Sequence, residues 1–412
     1  MGKSKPIAIV LAGTRPHILL IEKLKKRGFY VILVDYLANP IAKPYANLHI
    51  QESTLDNEAV VNIAREYNAS LVISTCVDQA NSTACYVSDK LGLPHPYSYE
   101  TAINVTNKLR MKRIMMDNNI PTSKYYTISE SRIQDTYDLR YPVIVKPADC
   151  NSSKGVRRVD NPKDLKEFIN DALSLSRTHE AVVEEFAIGD EIGIDCFVQD
   201  GIAKVLMIKE RRKINKNSNH IQQIYGCIWP MPVSEVITEK AEIIANQIVQ
   251  AFELSTCALM IQAILCEDKI YVIEFGARIG GGESYSIIKQ STGFDYVEAS
   301  IDSFLGNKIE QEFHKPQEFY ADNFIYTKKG VFDHIKIDEM LEQDGTIEYY
   351  YPIKQPGSEI GEELSSNNRV GTFVVKSHSF DELKVKIDKT LRNMEVYDVF
   401  GNPIMRKDIY DL

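Results

Sequence analysis

The chain has 412 residues, more than one hydrophobic core usually organises, so two or three domains are expected. Its apolar content of 44% and charged content of 25% are those of a globular protein, and the net charge of −9 disfavours nucleic acid or an anionic membrane as a partner. The opening MGKSKPIAIVLAG holds an apolar run of only about seven residues, too short for a signal peptide or a membrane span, and Pro6 stands where a myristoylation motif wants Ser or Thr. Seven scattered cysteines without a C-x-x-C pair fit a reduced, cytoplasmic setting with no zinc site.

In chain order, IAIVLA (7–12) reads as a buried strand. HILLIEKLKKRG follows as a helix with Ile18, Ile21 and Leu24 on one face and Gly28 as its stop. FYVILVD, EAVVNIAREYN, SLVISTCVD and QANSTACYVSDKLG continue the alternation, which implies a parallel sheet covered by helices over residues 1–96. LAGTRPH carries one glycine where a dinucleotide fingerprint needs three, so a nicotinamide or flavin role is disfavoured. The Gly13 and Thr14 amides with Arg15 are either an anion seat or a tight βα turn.

TAINVTNKLRMKRIMMDNN reads as one cationic linking helix. YPVIVKPADCNSSKGVRRV is a strand, a polar loop and a second strand. AVVEEFAIGDEIGIDCFVQDGIAKVLMIK is a strand, a loop and a hairpin turning at Asp200-Gly201. A helix near 235–253 leads to STCALMIQAILCEDKIYVIEF, two strands about a short turn. The last hundred residues alternate strands with a helix that starts at a Ser379/Glu382 capping-box pattern, and read as a stabilising cap.

The chemistry gathers in three places. If CEDKI turns with a three-residue loop, Cys266 pairs with Ile270 and Gln262 lies opposite Glu274, so their side chains share a face. Two such oxygens suit Mg²⁺ carried by a phosphate, with Arg278 neutralising a phosphoryl group; an ordinary ion pair at Glu274 is the competing reading. Lys146 ends the apolar strand VIVK, and Asn151 to Gly155 form a loop of a kind that folds over phosphates. Glu184 and Glu185 lie at a strand end and Glu191 after a glycine turn; they suit the amino and hydroxyl donors of adenine and ribose, or else are a solvated face.

VIVKPADCNSSKGV, VVEEFAIGDE and YVIEFGARIGGG, in this order, resemble the ATP-grasp superfamily of carboxylate–amine ligases, in its amino-acid-ligase-like branch. The resemblance implies an α/β fold of three parts. These are an N-terminal αβα domain (1–96), a two-lobed ATP-grasp α+β domain (97–308, lid about 125–190) and a small C-terminal α+β cap (309–412). It implies ATP contacts from Lys108, Lys146, Ser152, Ser153, Lys154, Gly155, Glu184, Glu185, Ile188 and Glu191. Glu274 and Gln262 become ligands of Mg²⁺ or Mn²⁺, and Arg278 with Lys146 the catalytic cations. Gln262 and Gly276 depart from the commoner acid and asparagine, which argues against a two-metal site held by protein alone. From the residues themselves, Gly280, Gly281, Gly282 and Ser284, helped by Arg211 or Arg212, are candidates to seat a carboxylate, and His220 is placed in a loop over the site.

The implied partners are a small carboxylate and a small amine, joined through an acyl phosphate with release of ADP, in a monomer or homodimer. Purine-biosynthetic or carbamoyl-phosphate-like ligation, and a nucleotide-binding regulator without catalysis, are the alternatives.

Overall fold

The computed structural model describes residues 5–129, 137–150, 155–214, 223–362 and 365–410. The chain opens with β1 (Ile7–Leu11), α1 (Arg15–Lys26), β2 (Tyr30–Asp35), β3 (Leu48–Gln51), α2 (Asn57–Glu66), β4 (Leu71–Ile73) and α3 (Asp78–Leu91). These strands pair in parallel in the order β3-β2-β1-β4, and β1 and β2 are apolar almost throughout because helices cover the sheet. Gly28 ends α1 as expected, with φ +91 just past the cap. The expected third strand, SLVISTCVD, stops at Ile73. Residues 74–77 instead carry the chain to α3, so Asp78 is a helix-initiating residue, and β3 was not foreseen.

The linking helix is two helices, α4 (Tyr99–Thr106) and α5 (Lys108–Asp117). The break comes at Asn107, whose backbone leaves helical geometry and whose side chain accepts hydrogen bonds from the Leu109 and Arg110 amides. Lys108 is therefore the first residue of a helix rather than its middle.

Next comes a small antiparallel sheet of β5 (Tyr125–Ser129), β6 (Val143–Pro147), β7 (Arg157–Val159) and β8 (Glu180–Glu185), in the order β5-β8-β6-β7, backed by α6 (Pro162–Leu175). Val143, Val145, Leu165, Ile169 and Val183 give this small sheet its own core.

The largest sheet begins with β9 (Asp190–Gln199), β10 (Ile202–Lys213) and β11 (Ile224–Trp229). β9 and β10 meet in a two-residue turn at Asp200-Gly201, both with positive φ, as the sequence indicated. After α7 (Glu235–Ala251) come β12 (Cys257–Cys266) and β13 (Lys269–Gly276), then α8 (Ser284–Thr292) and α9 (Tyr296–Leu305).

The C-terminal part holds β14 (Phe319–Tyr326), β15 (Gly330–Ile337), α10 (Met340–Gln343), β16 (Tyr349–Pro352), β17 (Ser358–Ile360), β18 (Arg369–Ser377), α11 (Phe380–Arg392) and β19 (Met394–Asp398). The eight-stranded order is β13-β12-β9-β10-β11-β14-β18-β16, so three strands of the expected cap continue the central sheet across residue 308. Only β17, β15 and β19 form a sheet of their own. The capping box at α11 is half made: Ser379 Oγ accepts from the Glu382 amide, while the Glu382 carboxylate is taken by Ser377. Among the described residues, no helix is long and apolar enough to cross a membrane.

Candidate functional site

A cleft opens between the four-stranded antiparallel sheet and the central sheet, lined by Lys108, Lys146, Val156, Glu184, Glu185, Phe186, Ala187, Glu191, Lys213, Gln262, Ile264, Ile273 and Glu274. The β12–β13 hairpin shows how Glu274 reaches it. The turn is two residues long, not three, so Cys266 pairs with Lys269 and Leu265 with Ile270. An extra residue between Val272 and Glu274 then shifts the ladder, and Gln262 faces Glu274 after all. The bulge explains why the neighbours Ile273 and Glu274 both line the cleft, where a regular strand would send them to opposite faces. The expected pairing holds, although the turn that was to produce it does not.

Lys146 Nζ binds Glu184 Oε1 at 2.5 Å from the adjacent strand, and Lys112 Nζ reaches Glu184 Oε2 at 2.5 Å from α5. Burial alone would push the Glu184 carboxyl up, but the two ammonium groups outweigh it and bring it down to about 2. Lys112 is buried and also donates to Thr122 Oγ1. It is a site residue the sequence reading missed, although it stands four residues after Lys108 on the same helical face.

Glu191 forms a second clamped acid. Arg211 Nε and Gln262 Nε2 both donate to its Oε1 at 2.7 Å, and Lys213 Nζ lies 3.1 Å from Oε2. Burial again opposes ionisation, and Arg211 and Lys213 again override it, holding the carboxyl at about 2. Arg211 is thus committed to Glu191 and is not positioned as a substrate-carboxylate ligand. Arg212 lies on the other side of the strand, buried against Asn323. Both arginines are thus held by protein partners.

Across the cleft, Glu274 has a side chain 37% exposed, with Lys108 Nζ 3.8 Å away. Lys108 also donates to the carbonyl oxygen of Cys150, at the start of the polar loop. Ser152, Ser153 and Lys154 lie outside the described residues, as does His220; Gly155 follows directly, and Val156 lines the cleft. Glu185 is held by Arg140 and lines the cleft beside Phe186 and Ala187, whereas Ile188 is 71% exposed and is not among its lining residues. The segment that lines the cleft here is therefore 184–187.

Arg278 leaves the end of β13 and meets Asp78 of the N-terminal domain, Nε to Oδ1 at 2.5 Å and Nη2 to Oδ2 at 2.6 Å. The glycine run beyond it is fixed from below. Lys209 Nζ binds Asp195 Oδ2 at 2.8 Å and Ser284 Oγ at 2.7 Å, and a Cβ on Gly280 would come within 3.3 Å of that ammonium. Gly282 has φ +69, and a Cβ there would lie 2.9 Å from Asp322 Oδ2. Asp322 receives a hydrogen bond from Thr372, and the next residue, Glu283, accepts from Tyr349 and Tyr351. Ser284 is fully buried and bound to Lys209, so it holds the loop rather than a ligand. Gly281 alone of the three faces open space. At the N-terminal domain, the Gly13 amide is taken by Asp35 Oδ2 at 2.7 Å, which favours the tight-turn reading over an anion seat.

Among the described residues no group of three or more His, Cys, Asp or Glu side chains could hold a metal. Glu274 and Gln262 nonetheless suit an ion that arrives with phosphate oxygens. Gln262 is oriented by its amide nitrogen on Glu191, so its amide oxygen is the end left for a cation.

Comparison with known proteins agrees with this layout. Residues 105–282 match the model of the ATP-grasp domain family. The structure of an L-amino acid ligase from Bacillus licheniformis superposes with TM-score 0.82 at 22% identity, covering 96% of this chain and 99% of that one. Phosphoribosylglycinamide synthetase from Anaerococcus prevotii superposes with TM-score 0.76 at 20% identity, covering 96% of this chain and 100% of that one. Among curated proteins, the multifunctional protein CAD of Squalus acanthias is 23% identical over 301 residues; the match takes in 70% of this chain and 13% of that much longer protein. The family match starts just before the helix that carries Lys108 and stops at Gly282, so the similarity to the ATP-grasp domain family takes in the residues that line the cleft.

Proposed function

We propose that the chain is an ATP-dependent ligase that joins a small carboxylate to a small amine. The observation that carries this reading is that the end of β13 brings Glu274 into a cleft whose lining also presents Lys108 and Lys146, with Arg278 two residues beyond the strand. Each of the wall acids Glu184 and Glu191 is met by two cations, so the wall carries an excess of positive charge, as phosphoryl transfer requires.

ATP is held with its base near Glu185 to Ala187 and its phosphates toward Lys108, Lys146 and Arg278. A divalent cation, Mg²⁺ or Mn²⁺, would be held by Glu274 and Gln262 with the phosphate oxygens and would supply charge neutralisation. The substrate carboxylate oxygen attacks the γ-phosphorus and the bond to the β-phosphate oxygen breaks, giving an acyl phosphate and ADP. The amine then attacks the acyl carbon, phosphate leaves, and the nitrogen loses a proton. Arg278 and Lys108 orient the charged oxygens, and no protein nucleophile takes part. The glycine run, with Gly281 facing open space, lies where the carboxylate approaches.

An unphosphorylated, amino-acid-like substrate is preferred over a sugar phosphate. In the groove beside the cleft Arg211 and Lys213 bind Glu191, Arg212 binds Asn323 and Arg158 binds Asp160, so four of its five cations have polar protein partners and the fifth, Lys384, lies over the Phe380 ring. The test is ADP release from Mg-ATP with panels of carboxylates and amines. Turnover that needs both substrates is expected. Tight ATP binding with no turnover on any panel would favour the regulator.

A further inference from the structure

We propose that Asp78 is a positioning residue that aims Arg278 at the transferring phosphoryl group. The inference rests on the ligase reading and adds to it a role for the N-terminal domain in the phosphoryl step.

The two oxygens of Asp78 take Nε and Nη2 of Arg278 in a fork, and Nη1 donates to the Ile279 carbonyl at 2.9 Å. Three of the five guanidinium N–H groups are thereby fixed, which confines the plane of the group and leaves two donors for phosphoryl oxygens. Arg278 is largely buried, with a side chain 13% exposed, so its aim is set by these partners rather than by water. Asp78 itself starts α3, where the helix dipole favours a carboxylate.

The backbone on either side of Arg278 is tied to the same domain. Asn81 Nδ2 of α3 donates to the Ala277 carbonyl at 3.5 Å, joined there by Tyr97 just past the domain at 2.8 Å, and the Ile279 amide donates to the Thr75 carbonyl at 3.0 Å. Gly276 is the residue that admits Asp78. A Cβ there would stand 3.1 Å from Asp78 Oδ1 and 3.2 Å from Arg278 Cγ. The departure from asparagine at this position thus has a physical counterpart: the side chain is given up where the carboxylate enters.

The experiment compares the native chain with Asp78→Asn and Gly276→Ala, using Mg-ATP with a mixture of the proteinogenic L-amino acids and other small carboxylates and amines. Asp78→Asn keeps the shape and removes the charge. Its kcat is expected to fall about 10–100-fold, with the ATP dissociation constant and the thermal midpoint unchanged. Gly276→Ala keeps both charges and presses on the pair, and a smaller fall is expected. Native turnover by Asp78→Asn, faster turnover, or a loss matched by weaker ATP binding overturns the proposal. Should Asp78→Asn fail to fold, unchanged kcat in Gly276→Ala overturns it. If the native chain itself releases no ADP, the ligase reading falls and takes this inference with it.

Discussion

Glu184 and Glu191 on the inner wall of the cleft, and Glu274 at its mouth, place one side-chain type in two electrostatic settings. The wall acids have side chains 8% and 6% exposed, and each is gripped by two cations. Glu274 is 37% exposed with one cation at 3.8 Å. The difference separates architecture from function. A buried acid with two partners has its electrostatics settled before any ligand arrives, whereas the half-exposed acid keeps capacity for a metal and a phosphate.

The comparison breaks most visibly at Glu274. Glu274→Gln should lower turnover by about 10²–10³-fold, measured as ADP release, while the urea midpoint stays near that of the native chain. Glu191→Met should show the opposite profile. It strands Arg211 and Lys213 without their acid, and equilibrium unfolding should report a loss of about 3–5 kcal/mol.

The pH dependence sharpens the same contrast. Glu184 and Glu191 fall from an ordinary 4.5 to about 2 on folding, so their stabilisation is complete above 4.5 and is lost as pH falls toward 2. Asp322 has the reverse sign. Burial and the neighbouring Glu283 raise it from 3.8 to about 7, so its contribution is present below 3.8 and is lost as pH rises toward 7. Asp322→Asn should flatten the stability curve between those values, and an unchanged slope would show that Asp322 is not the group responsible. The smallest effect belongs to Lys315–Glu235, a pair at 3.3 Å with side chains 91% and 87% exposed. Its removal should leave the unfolding midpoint unmoved, showing that burial rather than pairing gives the wall its weight.

Much of this was legible in the sequence because it is local. Alternating apolar runs marked β1, β2 and the β9–β10 hairpin, and the order of VIVKP, VVEEF and YVIEFGAR placed Lys146, Glu184 and Glu274 about one cleft. What escaped is set by tertiary contact. The Asn107 cap divides the linking helix with a single side chain. The bulge before Glu274 offsets a turn one residue shorter than expected. Asp78 finds Arg278 across two hundred positions, and nothing near residue 78 signals it. Arg211 and Ser284 carried suitable chemistry, but the structure assigns them to Glu191 and Lys209. Lys209 itself lay in the MIKERRK strand, on the face that alternation shares with Arg211 and Lys213.

The central claim is that a substrate carboxylate is activated as an acyl phosphate. It is tested most directly by turnover of Mg-ATP with an ¹⁸O-labelled carboxylate and an amine, with the nucleotide and phosphate products read by mass spectrometry. The account predicts ADP together with inorganic phosphate carrying one ¹⁸O from the carboxylate. AMP with pyrophosphate, or phosphate without label, would contradict it.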